Sequence, residues 1–202
     1  MLAALTGAGL SAAAGLNAYI PFLIVALMAR FTDIIALPEQ FAWIESNWAI
    51  GGAAVLLVGE VVFDKIPVVD HINDAVGTFI RPASGGLIFA ATQAAEDFEQ
   101  GSSFMADNPW IGVVLGIITA GLVHTGKAVT RPVVNASTLG IGAPLVSTAE
   151  DTASVGLSVV AIFFPILVFI LLIAMLWGGI VLWRKARRRT REREAAVTAY
   201  YG

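Results

Sequence analysis

The stretch ASVGLSVVAIFFPILVFILLIAMLWGGIVLW, which runs from Ala153 to Trp183, contains 31 residues without a charge. Seven Lys or Arg residues follow it within ten positions. About 20 apolar residues are enough for a helix to cross the roughly 30 Å hydrocarbon core of a bilayer. The stretch therefore predicts a membrane-spanning helix. The basic residues after it predict a cytoplasmic end, because such flanks resist translocation.

The composition of the whole chain predicts a polytopic membrane protein. Of its 202 residues, 57% are hydrophobic and only 13% are charged, with a mean hydropathy of +0.81, whereas soluble domains carry about 25% charged residues. The chain has no cysteine, which excludes a disulfide framework and a Cys-based metal site. We expect no cofactor and no metal, because Asp64, Asp70 and Asp74 lack the spacing of a calcium loop.

Apolar segments alternate with charged loops, which predicts an all-α bundle of about six membrane passes with both termini in the cytoplasm. Asn17 and Pro21 interrupt the first pass, and Gly and Pro residues interrupt the fifth, so both are predicted to be discontinuous. In a five-helix alternative, Pro132 to Thr148 forms a cytoplasmic loop. The six predicted passes are residues 2–31, 49–63, 75–94, 110–126, 132–151 and 153–183.

This topology divides the chain into two regions. Residues 1–183 form the predicted transmembrane helical domain, and residues 184–202 form a basic cytoplasmic tail. A basic stretch beside a membrane meets anionic lipid headgroups, so we expect membrane lipids as partners and no nucleic acid. The expected location is the inner membrane of a bacterium.

Four motifs follow one another along the chain: GLSAAAGLNAYIP at residues 9–21, DKIPVVDH at 64–71, FIRP at 79–82 and TRPVVNAST at 130–138. Together they resemble the bacterial and plant membrane family catalogued as domain of unknown function 4126, over roughly residues 7 to 175. The resemblance implies an integral membrane protein. It implies no activity, so a function has to be inferred from the charged residues.

Ionisable residues inside predicted helices are the candidate functional residues, because a charge at the bilayer centre costs at least about 2.5–3.5 kcal/mol. Arg81 and Arg131 each precede a proline, which withholds a backbone donor and predicts a helix break beside a polar pocket. A planar guanidinium suits phosphate or carboxylate. We therefore predict an anion-binding site made of Arg81, Arg131, Lys127, His124, Asn135, Ser137 and Thr138.

The same residues allow a second interpretation, in which Arg81 and Arg131 form a structural ion-pair network. Their partners would be Glu60, Asp64, Asp70, Asp74, Glu150 or Asp151, because pairing in a low dielectric is expected whether or not anything is transported.

Three residues suit proton coupling. Glu60 lies in an otherwise apolar segment, four positions before Asp64 on the same helical face, and His71 titrates near neutral pH. The alternative for Glu60 is a simple partner of Arg81.

The predicted function is a translocation or binding site for a small anionic solute or a lipid phosphate. No P-loop, HExxH or GxSxG motif is present, so we do not expect an enzyme. The alternative is a non-transporting accessory or assembly subunit of a larger membrane complex. Such a subunit would pack through small-residue faces, and a homo-oligomer is also expected. The small residues are Gly7, Ser11, Gly15, Gly112 and Gly116.

Overall fold

The structure is a computed structural model. It describes residues 2–66, 69–100, 108–138 and 142–174, together with 177, 178, 181 and 184. The side chains of residues 70, 71, 96–100, 132, 133 and 135–137 lie outside this description. The chain divides into two units, Met1–Val168 and Phe169–Gly202. In the second unit, residues 169–174 are helical, and most of the predicted basic tail lies outside the described residues.

The regular elements in the described ranges are all helical, which confirms the all-α part of the predicted fold class. In chain order they are α1 (Leu2–Leu16), α2 (Tyr19–Phe31), a 3-10 helix (Glu39–Glu45), α3 (Asn47–Phe63), α4 (Val69–Gln100), α5 (Pro109–Thr138), α6 (Ala143–Phe163) and α7 (Pro165–Ala174).

Helix α1 forms the centre of the first unit and contacts α4, α5 and α6. Its residues from Gly9 to Gly15 are all buried, and they are mostly Gly and Ala. Small side chains let helix backbones approach closely. A Cβ atom added at Gly15 would lie only 2.5 Å from the carbonyl oxygen of Ala120. The sequence pattern therefore predicted close packing correctly.

The predicted small-residue faces are used inside the chain. Gly7 packs against the ring of Phe89, and Gly116 packs on the backbone of Gly85 and Gly86. Ser11 donates a hydrogen bond to the carbonyl oxygen of Gly85 at 2.8 Å. These small residues therefore pack between helices of the same chain.

The interruption predicted in the first apolar segment lies at Asn17 and Ala18, between α1 and α2. The side-chain oxygen of Asn17 accepts hydrogen bonds from the backbone amides of Tyr19 and Ile20 at 3.0 and 3.1 Å. It thereby satisfies amides that have no partner inside α2. Pro21 follows in the first turn of α2, where a missing N–H costs little.

The two Arg–Pro pairs do not break their helices, so that prediction was wrong. Pro82 lies inside α4, and α5 continues beyond Arg131 to Thr138. One proline removes one backbone hydrogen bond, and neighbouring helices and Ser or Thr side chains can satisfy the freed groups at membrane depth.

The predicted fifth pass is not a separate segment. Its first residues, up to Thr138, end α5, and Ala143 begins α6. The charge-free stretch is also not one helix: α6 ends at Phe163, and Phe164 is non-helical with φ −136° and ψ 59°. Phe164 precedes Pro165, and a residue before proline is pushed out of the helical region.

Length and composition give two helices able to cross a membrane, Pro109–Arg131 and Ala143–Phe163. The 3-10 helix and α3, which meet at an angle of 54°, make a third if they count as one span. Leu2–Leu16, Tyr19–Phe31 and Pro165–Ala174 are apolar but shorter. The described residues thus support a helical membrane protein with two or three spans, and six passes are not confirmed.

We expect Gly116→Ala to lower the free energy of unfolding by about 1–3 kcal/mol, because the new methyl group would collide with the backbone of α4. Gly126→Ala, in the same helix, is the matched control, because an added Cβ there meets nothing within 4 Å. That variant should gain about 0.5–1 kcal/mol from its higher helix propensity. Thermal unfolding of both variants in detergent measures the difference, and equal shifts would contradict the packing argument.

Candidate functional site

Seven charged side chains meet where α3 ends and α4 begins, beside α5 and α6. We call this group the ionic cluster. All but Glu150 belong to buried residues, and the side chain of Glu150 is 12% exposed. The cluster consists of Glu60 on α3, Asp64 in the turn after it, Asp74 and Arg81 on α4, Lys127 and Arg131 on α5, and Glu150 on α6.

Arg81 has no exposed surface and is held by two carboxylates. Its Nη2 and Nε donate to Oε1 of Glu60 at 2.8 and 3.2 Å, and its Nη1 donates to Oδ1 of Asp74 at 3.1 Å. Nη1 also lies 2.9 Å from Nδ1 of His124. All three guanidinium nitrogens therefore have partners within the chain.

The contact with Arg81 fixes the protonation state of His124. A guanidinium only donates, so Nδ1 of His124 has to accept, and the ring proton lies on Nε2. Nε2 is 3.0 Å from Oγ1 of Thr78, whose hydroxyl donates to the backbone oxygen of Asp74. His124 is therefore neutral in this arrangement and orients the guanidinium of Arg81.

Arg131 donates two hydrogen bonds to Glu150. Nη2 donates to Oε2 at 2.5 Å and Nε donates to Oε1 at 3.4 Å, which is the fork that guanidinium and carboxylate form. The same Nη2 donates to Oδ2 of Asp64 at 2.7 Å, and Nη1 donates to Oδ2 of Asp74 at 3.4 Å. Arg131 thus joins carboxylates from three parts of the chain.

Lys127 lies between Asp64 and Glu150, with its Nζ 3.3 and 3.1 Å from their carboxylate oxygens. It also donates to the backbone oxygen of Leu16 at 2.9 Å. That oxygen belongs to the last turn of α1, whose final carbonyls have no partner inside the helix. Lys127 therefore ties the cluster to the helix break after α1.

Asp64 is the most heavily contacted carboxylate of the cluster. Its Oδ2 faces Lys127, Arg131 and, at 3.9 Å, Arg81, and its Oδ1 accepts from Asn73 at 2.6 Å. Burial by itself would raise the pKa of Asp64, but Lys127, Arg131 and Asn73 favour the ionised form and lower the pKa from 3.8 to about 2. Asp64 is therefore ionised throughout the neutral range.

The cluster contains four carboxylates and three cations. Of its eight carboxylate oxygens, Oε2 of Glu60 is buried and has no hydrogen-bond partner among the described residues. The neighbouring pair Lys65 and Asp151, 3.9 Å apart, is itself neutral. With every group ionised, the cluster would carry one excess negative charge.

The structure brings together six of the predicted site residues: Arg81, Arg131, Lys127, His124, Glu60 and Asp64. Thr138 is not in the cluster. Its hydroxyl donates to the backbone oxygen of Val134 and accepts from the amide of Gly142, which stabilises the end of α5. The side chains of His71, Asn135 and Ser137 lie outside the described residues.

The sequence analysis did not name Asn73 or Thr78 as site residues, and it named Asn17 only as an interruption of the first pass. Asn17 also donates to Asp151 at 2.9 Å. A helical period was visible in α5, where His124, Lys127 and Arg131 are spaced three and four residues apart and share one face. In α4, Asp74, Thr78 and Arg81 have the same property.

The fold and the cluster define a class: a helical membrane protein with a buried network of charges between its helices. The chain belongs to the family described as Domain of unknown function (DUF4126), whose model matches residues 4–185. This match confirms the resemblance carried by the four sequence motifs. No curated protein and no solved structure matches the chain.

We expect Asp64→Asn to lower the free energy of unfolding by about 3–5 kcal/mol, because it leaves Lys127 and Arg131 buried with one partner fewer. Asp151→Asn is the control. It removes a partly exposed charge 3.9 Å from Lys65 and keeps an oxygen that can accept from Asn17, so the loss should stay below about 1 kcal/mol. Denaturant unfolding in detergent measures both, and a loss as small in Asp64→Asn as in Asp151→Asn would contradict this role.

The acid stability of the protein should depend on Asp64. Its pKa is about 2 in the folded chain and 3.8 in the unfolded reference. Its stabilising contribution is therefore complete above pH 3.8 and is lost as the pH falls towards 2. Unfolding curves between pH 5 and 2 should show a steeper loss of stability in the wild type than in Asp64→Asn. Parallel curves for the two proteins would contradict the prediction.

Proposed function

We propose that the protein binds and translocates a small anionic group, either a free anion or the phosphate of a lipid, at the ionic cluster. The observation that carries the proposal is the two-bond fork between Arg131 and Glu150. A carboxylate oxygen pair held by a guanidinium occupies the place that a phosphate or a carboxylate ligand would take. Glu150 is thus an internal substitute for the ligand.

The burial of the cluster explains why such a substitute is needed. Arg81, Arg131 and Lys127 are each at most 5% exposed, and cations taken out of water are costly unless they are paired. Exchanging the carboxylate of Glu150 for an external anion keeps the cations paired. The cluster can therefore release and bind anions without leaving bare positive charge in the bundle.

Glu150 is better suited to exchange than Asp64. The side chain of Glu150 is 12% exposed, and that of Asp64 is 2% exposed. Asp64 is also held by Asn73 and by all three cations. When Glu150 leaves, Arg131 keeps Asp64 and Asp74 as partners, so the site stays assembled for an incoming anion.

A cavity beside the cluster supports the lipid form of the proposal. It has a volume of about 430 Å³ and an apolar lining contributed by α2, the 3-10 helix, α3 and α4. Trp43 and Trp48, which both line it, stack with ring centroids 6.1 Å apart, and tryptophan favours the membrane interface. Leu56, which also lines the cavity, is one helical turn from Glu60. An acyl chain in this cavity would lie beside the charges that bind its phosphate.

The proposal includes a topology. We propose that α1 with α2, and the 3-10 helix with α3, add membrane crossings to those of α5 and α6, and that the basic tail lies in the cytoplasm of a bacterial cell. The apolar composition of these shorter helices supports this arrangement. The accessory-subunit alternative has less support, because its glycine faces pack inside the chain.

The variant Glu150→Gln tests the proposal by the direction in which it changes the affinity for an anion. Because this variant removes the competing carboxylate, we expect it to bind phosphate five- to tenfold more tightly, which corresponds to about 1 kcal/mol. Arg131→Gln should abolish binding, and Asp151→Asn, whose acid does not touch an arginine, should bind as the wild type does. Binding is measured at constant pH on purified protein, with radioactive inorganic phosphate and separately with vesicles that contain phosphatidic acid.

The two probes separate the two ligand sources. Binding of inorganic phosphate, followed by its flux in proteoliposomes, supports a free anion, and binding of phosphatidic acid alone supports a lipid. No binding of either probe, or weaker binding in Glu150→Gln than in the wild type, would overturn the proposed function.

A further inference from the structure

We infer that the ionic cluster binds one proton and that this proton lies on Oε2 of Glu60. The inference goes beyond the proposed function, because the proton is bound whether or not an anion is. It rests on two independent observations: the charge count of the cluster, and one buried carboxylate oxygen that no donor reaches in the part of the chain that the structure describes.

The charge count requires a proton or an equivalent positive charge. Among the described side chains, four carboxylates face three cations, and the one histidine in contact with them, His124, is neutral because its Nδ1 accepts from Arg81. An uncompensated charge among buried groups is expensive, and a titratable group in that position neutralises instead. One proton makes the cluster neutral.

The hydrogen bonds identify the carboxylate that holds it. Both oxygens of Asp64 accept, from Asn73 and from Arg131. Both oxygens of Asp74 accept from arginines, and so do both oxygens of Glu150. In Glu60, Oε1 takes both bonds from Arg81, and Oε2 has no partner among the described residues. A protonated Glu60 keeps Oε1 as the acceptor and carries its hydrogen on the oxygen that no donor occupies.

Every element packed around this pair contributes to its electrostatics. The charged and titratable groups that face Glu60 and its partner Arg81 are Tyr19 on α2, Asp64 after α3, Asp74 on α4, and His124 and Lys127 on α5. Glu150 on α6 acts one step further away, through Lys127. Proton release from Glu60 therefore places a second negative charge beside Asp64, at the side of the cluster that Arg81 has to balance.

If the proton is bound, substitutions at two residues that contact the guanidinium of Arg81 should change the melting temperature differently. Glu60→Gln imitates the protonated acid, since the amide keeps an acceptor oxygen for Arg81 and carries no charge. Its melting temperature at pH 7 should stay close to that of the wild type. Asp74→Asn weakens the contacts with both Arg81 and Arg131, and its melting temperature should fall by several degrees.

The direct test is infrared spectroscopy of the purified full-length protein in detergent at pH 7. We expect the carbonyl stretch of one protonated carboxyl group, shifted by deuterium exchange and lost as the pH is raised. The band should be missing in Glu60→Gln and present in Asp151→Asn, which leaves all four carboxylates of the cluster in place. Absence of the band in the wild type, or its persistence in Glu60→Gln, would overturn the inference.

This experiment stays informative if a variant fails to fold, because the wild-type titration alone decides whether a buried protonated carboxyl group exists. It is also separate from the test of the proposed function. The band can be present in a protein that binds neither phosphate probe, and phosphate can bind to a protein that lacks the band.

Discussion

The structure depends on the pairing of three buried cations with carboxylates that come from four parts of the chain. Asp64 and Asp74 are the common partners, each within 4 Å of Arg81, Lys127 and Arg131. Because these residues lie up to 67 positions apart in sequence, their contacts fix where α3, α4 and α5 stand relative to one another. An error of one turn in any of these helices would separate opposite charges in a poorly hydrated interior.

Small residues make this pairing geometrically accessible. The backbones of α1, α4 and α5 approach closely at Gly15, Gly85 and Gly116, which brings long basic side chains from α5 within reach of the acids. Lys127 shows the connection directly, since its ammonium group contacts both the cluster and the carbonyl oxygen of Leu16 at the end of α1. Packing and electrostatics therefore support the same arrangement of helices.

The sequence predicted local features better than long-range ones. The helical class and the interruption near Asn17 both follow from neighbouring residues. The Arg–Pro pairs were misjudged because a proline's effect depends on the helices packed around it. Pro165 was a visible signal for the break at Phe164 that the long charge-free run concealed. Which acid pairs with which cation was not predictable, because each contact joins distant segments.

Among the described side chains, the cluster holds more acid than base. Buried ion pairs are poor sources of stability, since apolar residues of similar volume often stabilise a fold as well or better. Apolar residues at these positions could also have formed a contact between α3 and α6. Instead the cluster keeps seven ionisable groups, an unpartnered oxygen on Glu60 and a partly exposed carboxylate on Glu150. Those two features suit the proton binding and the anion exchange that we propose.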